Sequence, residues 1–459
     1  MPLILSGNVA SATTAAYSVD NSCRFNDDDT AYMAKTMSAG DTQKYTFSTW
    51  VKRGNLGGYQ GLLNCRISES TRGHIYFQSN NSLAIYLKQS GEGFYTNTNA
   101  LYLDSSAWYH VCVGVDSTQS TEANRVKIYV NGTQVTSFEN ESYPDLNEDS
   151  ATFNVNTQSL EVGRLVFGSP TILYNYFDGY MAETVFIDGT QYAASDFGEF
   201  DSSSPTIWKP KDVSELTFGT NGFYLDYEAS DNLGNDANGG TDLTESNLDA
   251  TDQATDTPTN NFATWNPLID HYPTYSSTLS NGNLSTTRND NGGSLATIMP
   301  SQGKWYMEAK CGTVAIYNRL GVVPYDKITD NEFNPDNKGV SYQSDGDKVV
   351  DSSASAYGST YTTGDIIGIA LNLDDGEITF YKNGVAQNSG TSITGFTYDG
   401  ANSLNVGGSG STWSWDCNFG NAPYAITSGN ADADGYGNFE YAVPSGYYAL
   451  CTKNLAEYG

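Results

Sequence analysis

Residues that commonly carry enzyme or metal chemistry are scarce in this sequence. Its 459 residues include 3 histidines, which are scattered, and 6 cysteines without a C-x-x-C spacing. No histidine stands near a serine or cysteine in a triad pattern, and neither a phosphate-binding loop nor a zinc motif is present. We therefore predict no catalytic residues and no metal site.

Basic residues are also few. The chain has 22 Lys and Arg against 53 Asp and Glu, which gives a formal net charge of −31. Such an excess repels nucleic acid and anionic lipid, so neither is an expected partner. Part of the charge is local, since residues 226–256 hold nine acidic side chains and no basic one. Acidic loops can bind Ca²⁺, but without a defined ligand spacing a solvated, repulsive face is the preferred interpretation, and no cofactor is predicted.

A long apolar run is missing as well. The first residues, MPLILSG, carry no positive side chain and only a four-residue apolar stretch, so we expect no signal peptide. No later run is long enough to span a bilayer. Synthesis in a cytoplasm with reduced thiols is therefore expected. Cys112 and Cys311 lie in strand-like runs, where cysteine behaves as a small buried hydrophobic residue.

Strand and turn chemistry, by contrast, is abundant. The chain contains 33 Tyr and 46 Gly together with many Thr, Ser and Asn, and no window shows a sustained apolar stripe of helical period. Tyrosine and threonine suit a pleated surface, whereas glycine and asparagine suit the turns between strands. The sequence predicts an all-β protein.

Two hairpins indicate that one architecture is used twice. Val126, Ile128 and Val130 alternate before Asn131-Gly132, and the run EITFYK at 377–382 alternates in the same way before Asn383-Gly384. Asn-Gly supplies the two positive φ angles of a type I′ turn. Each hairpin follows another strand that ends at an aspartate, so we predict that one β architecture is used twice. The expected division is a first strand-rich domain over 1–200, an acidic Asn/Asp/Thr-rich connector over 201–275 and a second strand-rich domain over 276–459.

The first region resembles a laminin-G-like domain of the concanavalin A-like lectin and glucanase kind. The resemblance covers most of 20–190, and each piece is weak alone. The matching pieces are CRFN at 23–26, YTFSTWVK at 45–52, WYHV at 108–111, KIYVNG at 127–132, LEVGR at 160–164 and YFDGYMAETVFID at 176–188.

The second region resembles a SPRY domain across nearly all of 300–450. Both families have antiparallel sandwich folds of concanavalin type. The two resemblances therefore imply two antiparallel β-sandwich (jelly-roll) domains in tandem, over 1–200 and 276–459, which agrees with the duplicated hairpins. The pieces are GKWYME at 303–308, LGVV at 320–323, GDIIG at 364–368, FYKNG at 380–384 and NFGNAPY at 418–424.

The segment between the two regions is similar to the connector that joins these domains in structural proteins of tailed bacteriophages. The similar stretches are GTNGFYLD at 219–226 and DTPTNNFATWNP at 256–267. This resemblance implies a component of a virus particle.

Catalysis on this fold would require two carboxylates across a cleft. The glucanases of the superfamily supply theirs from a Glu-x-Asp-x-x-Glu strand, and this sequence has no such run. Asp226 and Glu228 share a face but lack a third carboxylate. His110 is expected as a packed core histidine, and Glu183 as a structural residue. We predict that the protein is not an enzyme.

Binding is the class that remains. Exposed aromatic side chains on sandwich loops stack on sugar faces or fill protein pockets. We select three aromatic loops, each of which could instead be core or ordinary loop. The candidate ligand-binding residues are Trp413, Trp415, Tyr325, Asp326, Tyr174 and Tyr176.

The preferred function is a non-catalytic structural and binding protein on the virion surface of a tailed phage. Capsid decoration, a head fibre, a tail fibre or another tail-associated protein would each fit. The expected partners are other copies of the chain, with a trimer favoured, other virion proteins and host-surface polysaccharide. A free carbohydrate-binding lectin is the alternative, and a polysaccharide hydrolase is a weaker one.

Overall fold

The chain divides into two compact units in a computed structural model. The structure describes residues 4–5, 17–89, 92–269, 277–325, 339–395 and 400–459. One unit comprises residues 15–259, and the other comprises residues 260–459 with the N-terminal strand β1 (Ile4–Leu5), which pairs in parallel with a strand of that unit. Both units are built from mainly antiparallel sheets, as predicted, and β36 (Tyr448–Ala449) adds a second short parallel pair beside β26 (Lys304–Cys311).

The first unit is a sandwich of two large sheets. Sheet 1 has the strand order β11-β10-β9-β4-β16-β2-β21, with β19 also paired to β16, and sheet 2 has the order β12-β8-β7-β6-β5-β13-β3-β20. Two small hairpins, β14-β15 and β17-β18, complete the unit. The strands are β2 (Ser22–Phe25), β3 (Tyr32–Thr36), β4 (Lys44–Arg53), β5 (Gln60–Ser68), β6 (Thr71–Phe77), β7 (Ser82–Gln89), β8 (Glu92–Leu101), β9 (Trp108–Asp116), β10 (Val126–Val130), β11 (Thr133–Gln134), β12 (Phe138–Asn140), β13 (Ser159–Val162), β14 (Arg164–Phe167), β15 (Leu173–Tyr176), β16 (Gly179–Asp188), β17 (Gly198–Phe200), β18 (Trp208–Pro210), β19 (Phe223–Leu225), β20 (Thr244–Ser246) and β21 (Gln253–Ala254).

The second unit is also a sandwich. Sheet 3 has the order β22-β23-β35-β26-β31-β32-β33, with β36 beside β26, and sheet 4 has the order β24-β34-β27-β28-β29-β30. The elements are β22 (Thr278–Ser280), β23 (Ser285–Asn289), β24 (Gly292–Leu295), β25 (Ile298–Met299), β26 (Lys304–Cys311), β27 (Tyr317–Pro324), β28 (Val340–Gln343), β29 (Asp347–Val350), β30 (Ser353–Ala356), β31 (Ile366–Asn372), β32 (Glu377–Lys382), β33 (Val385–Ala386), β34 (Asn402–Ser409), β35 (Thr412–Asn418), β36 (Tyr448–Ala449) and α1 (Thr452–Tyr458).

The two Asn-Gly hairpins have the predicted geometry. Asn131 and Gly132 have φ angles of 47° and 74°, and Asn383 and Gly384 have 47° and 76°. In each case one residue pair closes the two-residue loop, Val130 with Thr133 and Lys382 with Val385. Asn-Gly fits because both positions need positive φ, which asparagine tolerates and glycine adopts without strain. Local turn chemistry therefore repeats the same hairpin in both units.

Period-two alternation places the core of the first unit between its sheets. In β4, Phe47 and Val51 face the core, while Lys52 points to the other face of sheet 1. In β6, Ile75 and Phe77 are buried in the same core. Side chains at the intervening positions of β6 lie on the outer face of sheet 2, because successive residues of a strand point to opposite faces.

The acidic segment is part of the first sandwich up to residue 259, rather than a separate connector over 201–275. Strand β19 pairs with β16, β20 with β3, and β21 with β2. Phe223 and Leu225 are fully buried in the core. Sequence reasoning missed this because the strands are only two or three residues long and are separated by polar loops.

Several carboxylates of this segment pair with cations on the sheets. Asp256 contacts Lys52 Nζ at 2.6 Å, and both side chains are almost completely buried. The second oxygen of Asp256 accepts a hydrogen bond from the indole N–H of Trp108 at 3.0 Å. Asp236 lies 3.7 Å from Lys35, and Asp252 lies 3.7 Å from Arg24. Part of the local negative charge therefore neutralises cations that the sandwich buries, in addition to forming a solvated face.

The six cysteines are all buried free thiols. Burial raises the pKa of Cys65 and of Cys451 to about 12, so these thiols remain protonated and unreactive at neutral pH. Cys112 and Cys311 lie in strands and are buried, as the sequence predicted. No helix of the described residues has both the length and the apolar character needed to cross a membrane.

Candidate functional site

An aromatic groove lies on the outer face of sheet 2. Its volume is about 310 Å³, at the lower end of the range of small-ligand sites. Strand β6 supplies three side chains at alternate positions, β7 and β8 supply one tyrosine each, and β14 and the loop before β5 form the far wall. The lining residues are Tyr59, Arg72, His74, Tyr76, Tyr86, Tyr95, Leu165 and Phe167. We call this set the tyrosine groove.

A continuous row of rings forms one side of the tyrosine groove. His74 opposes Tyr86 across β6 and β7, and Tyr86 opposes Tyr95 across β7 and β8. The rings of His74 and Tyr86 are nearly parallel, 12° apart with centroids separated by 6.0 Å, and Tyr95 meets Tyr86 edge to face at 5.9 Å. Tyr95 donates its hydroxyl to Gln78 at 2.8 Å, which orients the ring. The register of three strands thus fixes the row.

The other side of the groove comes from residues distant in sequence. Tyr59, which is 39% exposed, packs edge to face on Phe167 with centroids 5.5 Å apart. Tyr59 also approaches Tyr76 at 6.2 Å. The groove therefore presents aromatic faces and edges on two sides. A planar, partly apolar ligand can pack against them.

His74 is an uncharged polar group in the groove wall. Burial lowers its pKa to about 3, and the positive charges of Arg72 and Arg66 act in the same direction. The ring is therefore neutral at physiological pH, with one nitrogen that donates and one that accepts. Neither nitrogen forms a hydrogen bond of good geometry with a described residue, and the Gly73 backbone has a smaller, opposite effect on the pKa. A buried polar group without such a bond costs about 1–3 kcal/mol.

Arg72 brings a positive charge to the groove. Its guanidinium lies 5.1 Å from the centre of the Tyr86 ring, in cation–π geometry. Glu69 forms an ion pair with Arg72 and lies 3.9 Å from Arg66. The Nε atoms of both arginines are buried and have no hydrogen-bond partner among the described residues.

Trp413 and Trp415 are core residues, which corrects their selection as binding residues. They lie on the same face of β35, as their spacing predicted, but that face points into the second core, and both side chains are 0% exposed. Their indole N–H groups donate to the carbonyls of Asp290 at 2.8 Å and Gly407 at 3.1 Å. With the rings covered and the donors satisfied, neither residue is available to a ligand.

Tyr174 and Tyr176 lie on the hairpin that borders the tyrosine groove, but on its other face. Tyr174 pairs with Val166 and Tyr176 with Arg164, whereas the groove is lined by the alternate residues Leu165 and Phe167. Tyr174 is 53% exposed. It remains an accessible side chain outside the groove.

The third predicted loop follows β27. Tyr325 is 43% exposed and donates its backbone N–H to Ala401 at 2.8 Å. Asp326 lies outside the described residues. The structure therefore provides one exposed ring at this position.

His110 is buried in a hydrogen-bonded position, as expected. Its Nδ1 accepts from the Trp208 indole at 3.0 Å, and its Nε2 lies 2.9 Å from the Ser48 hydroxyl. Burial lowers the pKa of His110 to about 3. Because Nδ1 accepts and the ring is neutral, the proton is on Nε2, which donates to Ser48.

Glu183 is held at a bulge in β16. It has a φ of 49°, and the register with β4 shifts between Ala182 and Val185. The residue is 6% exposed, and its carboxylate accepts hydrogen bonds from Tyr224 and Tyr17 at 2.8–2.9 Å. Burial raises the pKa of Glu183 to about 7; the tyrosine hydrogen bonds oppose this rise, and the charges of Asp226 and Glu228 reinforce it. The side chain closes a tyrosine network, and Asp226 itself accepts the Glu228 N–H at 3.1 Å.

Metal-ligating clusters are not evident in the described part of the chain. No group of three or more His, Cys, Asp or Glu side chains there has an arrangement that could hold a metal ion.

Comparison with known proteins gives the class of each unit. Residues 26–190 match the family model described as the concanavalin A-like lectin/glucanases superfamily, and residues 305–402 match the SPRY domain model. The chain therefore carries a concanavalin A-like domain of laminin-G type followed by a SPRY domain. Among curated proteins, no sequence is detectably similar to the chain.

Solved structures resemble parts of this chain at low similarity. A stonustoxin structure has 16% identity and a TM-score of 0.28, covering 34% of this chain and 27% of its own. A Bacteroides ovatus protein described as a candidate carbohydrate-binding protein has 14% identity and a TM-score of 0.34, covering 50% and 58%. The SPRY domain of human HERC1 has 14% identity and a TM-score of 0.26, covering 33% and 96%. This chain therefore covers less than two thirds of the length of the stonustoxin and Bacteroides ovatus proteins. At these identities and TM-scores the similarity concerns the fold and does not extend to function.

Sequence reasoning missed the tyrosine groove. Its strongest signal is the alternation in β6, where Arg72, His74 and Tyr76 are interleaved with apolar residues. Such a strand has one core face and one face with aromatic and charged groups. That signal identifies an outward surface, but it does not show which other strands lie beside it.

Proposed function

We propose that this protein is a non-catalytic saccharide-binding protein whose ligand lies in the tyrosine groove. The observation that carries the proposal is the row formed by His74, Tyr86 and Tyr95 opposite Tyr59, on the outer face of a lectin-like sandwich. A saccharide ring has apolar C–H faces bordered by hydroxyl groups. Aromatic faces bind the former, and fixed polar groups bind the latter.

The polar groups of the groove suit hydroxyl ligands. The ring nitrogens of neutral His74 are buried in the groove wall, so the ligand meets the face of its ring. Tyr76 and Tyr86 are half-buried residues of the groove, and each carries a hydroxyl. A tyrosine hydroxyl can pair with a sugar hydroxyl, since each both donates and accepts.

The composition of the groove also supports a binding role rather than hydrolysis. Glycoside hydrolysis requires two carboxyl groups that flank the scissile bond. The described residues that line the groove include arginine, histidine, leucine and aromatic residues but no Asp or Glu. The described lining therefore lacks the pair of carboxyl groups that hydrolysis requires, and Glu69, which pairs with Arg72, is outside that lining.

The test is an array of immobilised neutral and acidic oligosaccharides probed with the wild-type chain and with Tyr86→Ala. We expect specific binding that falls by about 5- to 30-fold in the variant, equivalent to about 1–2 kcal/mol for loss of one ring from a packed site. Tyr174→Ala is the matched control, because it removes an exposed tyrosine from the other face of the adjacent hairpin.

Two results would contradict the proposal. One is the absence of binding to any saccharide. The other is that Tyr174→Ala loses binding while Tyr86→Ala binds as tightly as wild type, which would place the site on the other face of the hairpin.

The place of action that we propose is the virion surface of a tailed phage, where the chain would act as a homo-oligomer, with a trimer favoured. Support comes from the connector resemblance at 219–226 and 256–267, and the six free thiols are compatible with synthesis in a host cytoplasm. Immunogold labelling of intact particles tests this location. Label on the capsid or tail would support it, whereas unlabelled particles would contradict it and leave a free lectin as the remaining alternative.

A further inference from the structure

A row of three cations crosses sheet 2 beside the aromatic row. Arg66 directly opposes Arg72 across β5 and β6, and Arg72 directly opposes Lys88 across β6 and β7. Directly opposed side chains have Cβ atoms only about 4.5–5.5 Å apart, and like charges in that position are destabilising. We call Arg66, Arg72 and Lys88 the cationic row.

The cationic row is unusual for this chain. Only 22 of its 459 residues are basic, and the net charge is −31. Elsewhere in the same unit, Arg24, Lys35 and Lys52 each contact a carboxylate of the acidic segment. Among the described side chains, the carboxylate that contacts the cationic row is that of Glu69, which pairs with Arg72 and lies near Arg66.

The two arginines are also incompletely bonded. Their side chains are only 12% and 16% exposed, for Arg72 and Arg66 respectively. The Nε of each is buried without a hydrogen-bond partner among the described residues. Guanidinium donors form their strongest hydrogen bonds with anionic oxygens, often two at once.

The opposite end of the aromatic row has the other sign. Glu139 accepts a hydrogen bond from Asn97 at 2.8 Å. The pKa of Tyr95 is raised chiefly by burial, and the negative charge of Glu139 raises it further. The groove is therefore positive at its Arg72 end and negative beyond Tyr95. A ligand with an anionic group has one favourable orientation in it.

We propose that the tyrosine groove selects anionic saccharides, with a carboxylate or sulfate of the ligand bound at the cationic row. The inference rests on the proposed function, since it concerns the ligand of the same groove. A sugar ring packs on Tyr86 and Tyr95, while its acidic group accepts hydrogen bonds from Arg72. A neutral saccharide leaves the opposed cations uncompensated.

The test uses pairs of oligosaccharides on one array: uronic-acid oligomers with their carboxyl-reduced forms, and sulfated oligomers with their desulfated forms. We expect the acidic member of at least one pair to bind tenfold or more tightly than its neutral counterpart. Which pair shows the preference distinguishes a carboxylate from a sulfate. Equal or tighter binding of the neutral members overturns the inference and leaves the proposed function standing, whereas no binding at all refutes the proposed function itself.

Charge variants locate the effect. Lys88→Gln should weaken binding of the acidic ligand by about two- to fivefold, with little change for a neutral ligand, because Lys88 lies outside the groove lining. Arg72→Gln should weaken binding of the acidic ligand by about tenfold or more. Lys127→Gln, on β10 of sheet 1, is the matched control because it makes the same change in charge on the other sheet. If Lys88→Gln and Lys127→Gln have the same effect, the ligand does not contact the cationic row.

Discussion

Two buried glutamates, one in each unit, have the same elevated pKa but opposite expected responses to the same substitution. Burial raises the pKa of Glu183 and of Glu308 from 4.5 to about 7. For Glu183, the folded state holds its proton up to about pH 7, whereas the unfolded state releases it near 4.5. The free energy of unfolding therefore falls as pH rises between these values, and the stabilisation present below pH 4.5 is lost above pH 7.

The size of the effect follows from the difference between the two pKa values. A difference of about 2.5 corresponds to about 3 kcal/mol, at about 1.36 kcal/mol for each pKa unit. Glu183→Gln removes the titration while keeping the shape of the side chain. Its partners are the hydroxyls of Tyr17 and Tyr224, which can rotate to accept from an amide. We expect the variant to be more stable than wild type by about 2–3 kcal/mol at pH 8, with little difference at pH 4.5.

Glu308→Gln should destabilise the second unit instead. One Glu308 oxygen accepts the backbone N–H of Glu440 at 2.9 Å, and the other accepts that of Tyr441 at 2.8 Å. An amide has one acceptor, so its NH₂ group would face a backbone N–H that cannot rotate. We expect a loss of about 1–3 kcal/mol, the cost of a buried unsatisfied donor.

Hydrogen exchange followed by mass spectrometry at pH 5 and pH 8 measures the opening free energy of β16 and β26 separately, after correction for the intrinsic exchange rates. If β16 in Glu183→Gln keeps the wild-type dependence on pH, Glu183 does not titrate as argued. If Glu308→Gln is as stable as wild type, the reasoning from acceptor geometry is wrong.

Two further substitutions test the assignments of buried side chains. Asp256→Ala leaves Lys52 charged and buried without its carboxylate. We expect the free energy of unfolding, measured by chemical denaturation, to fall by about 3–5 kcal/mol and to be partly recovered when Lys52→Met is added. A fall of less than about 1 kcal/mol would show that water reaches the pair. Trp413→Ala should destabilise the second unit by about 3–5 kcal/mol without changing saccharide affinity, and weakened saccharide binding by a folded Trp413→Ala protein would restore it as a binding residue.

Features that depend on neighbouring residues in the chain were predictable from the sequence. The Asn131-Gly132 and Asn383-Gly384 turns specify hairpins through the φ angles of two residues. The sandwich class follows from many such strands with period-two alternation. Trp413 and Trp415 show the limit: their spacing places both rings on one face, but spacing does not decide whether that face is core or solvent.

The tyrosine groove depends on contacts that no local pattern encodes. Tyr59 and Phe167 meet only because the β14-β15 hairpin lies over β5 and β6. Pairing of β6 with β7 in one register brings His74 opposite Tyr86, and a shift by one residue would turn the Tyr86 ring to the other face of the sheet. The site was therefore beyond sequence reasoning, although its members are ordinary strand residues.

The pairing of the acidic segment with the first sandwich also bears on how such a protein can be inherited and rearranged. The recognisable family signature ends at residue 190, whereas the compact unit continues to residue 259. A gene exchange that cut at the end of the signature would transmit a sandwich without the five strands β17 to β21, and would separate Lys52 from Asp256. Recombination that preserves folding is expected near residue 259, so the heritable module is longer than its signature.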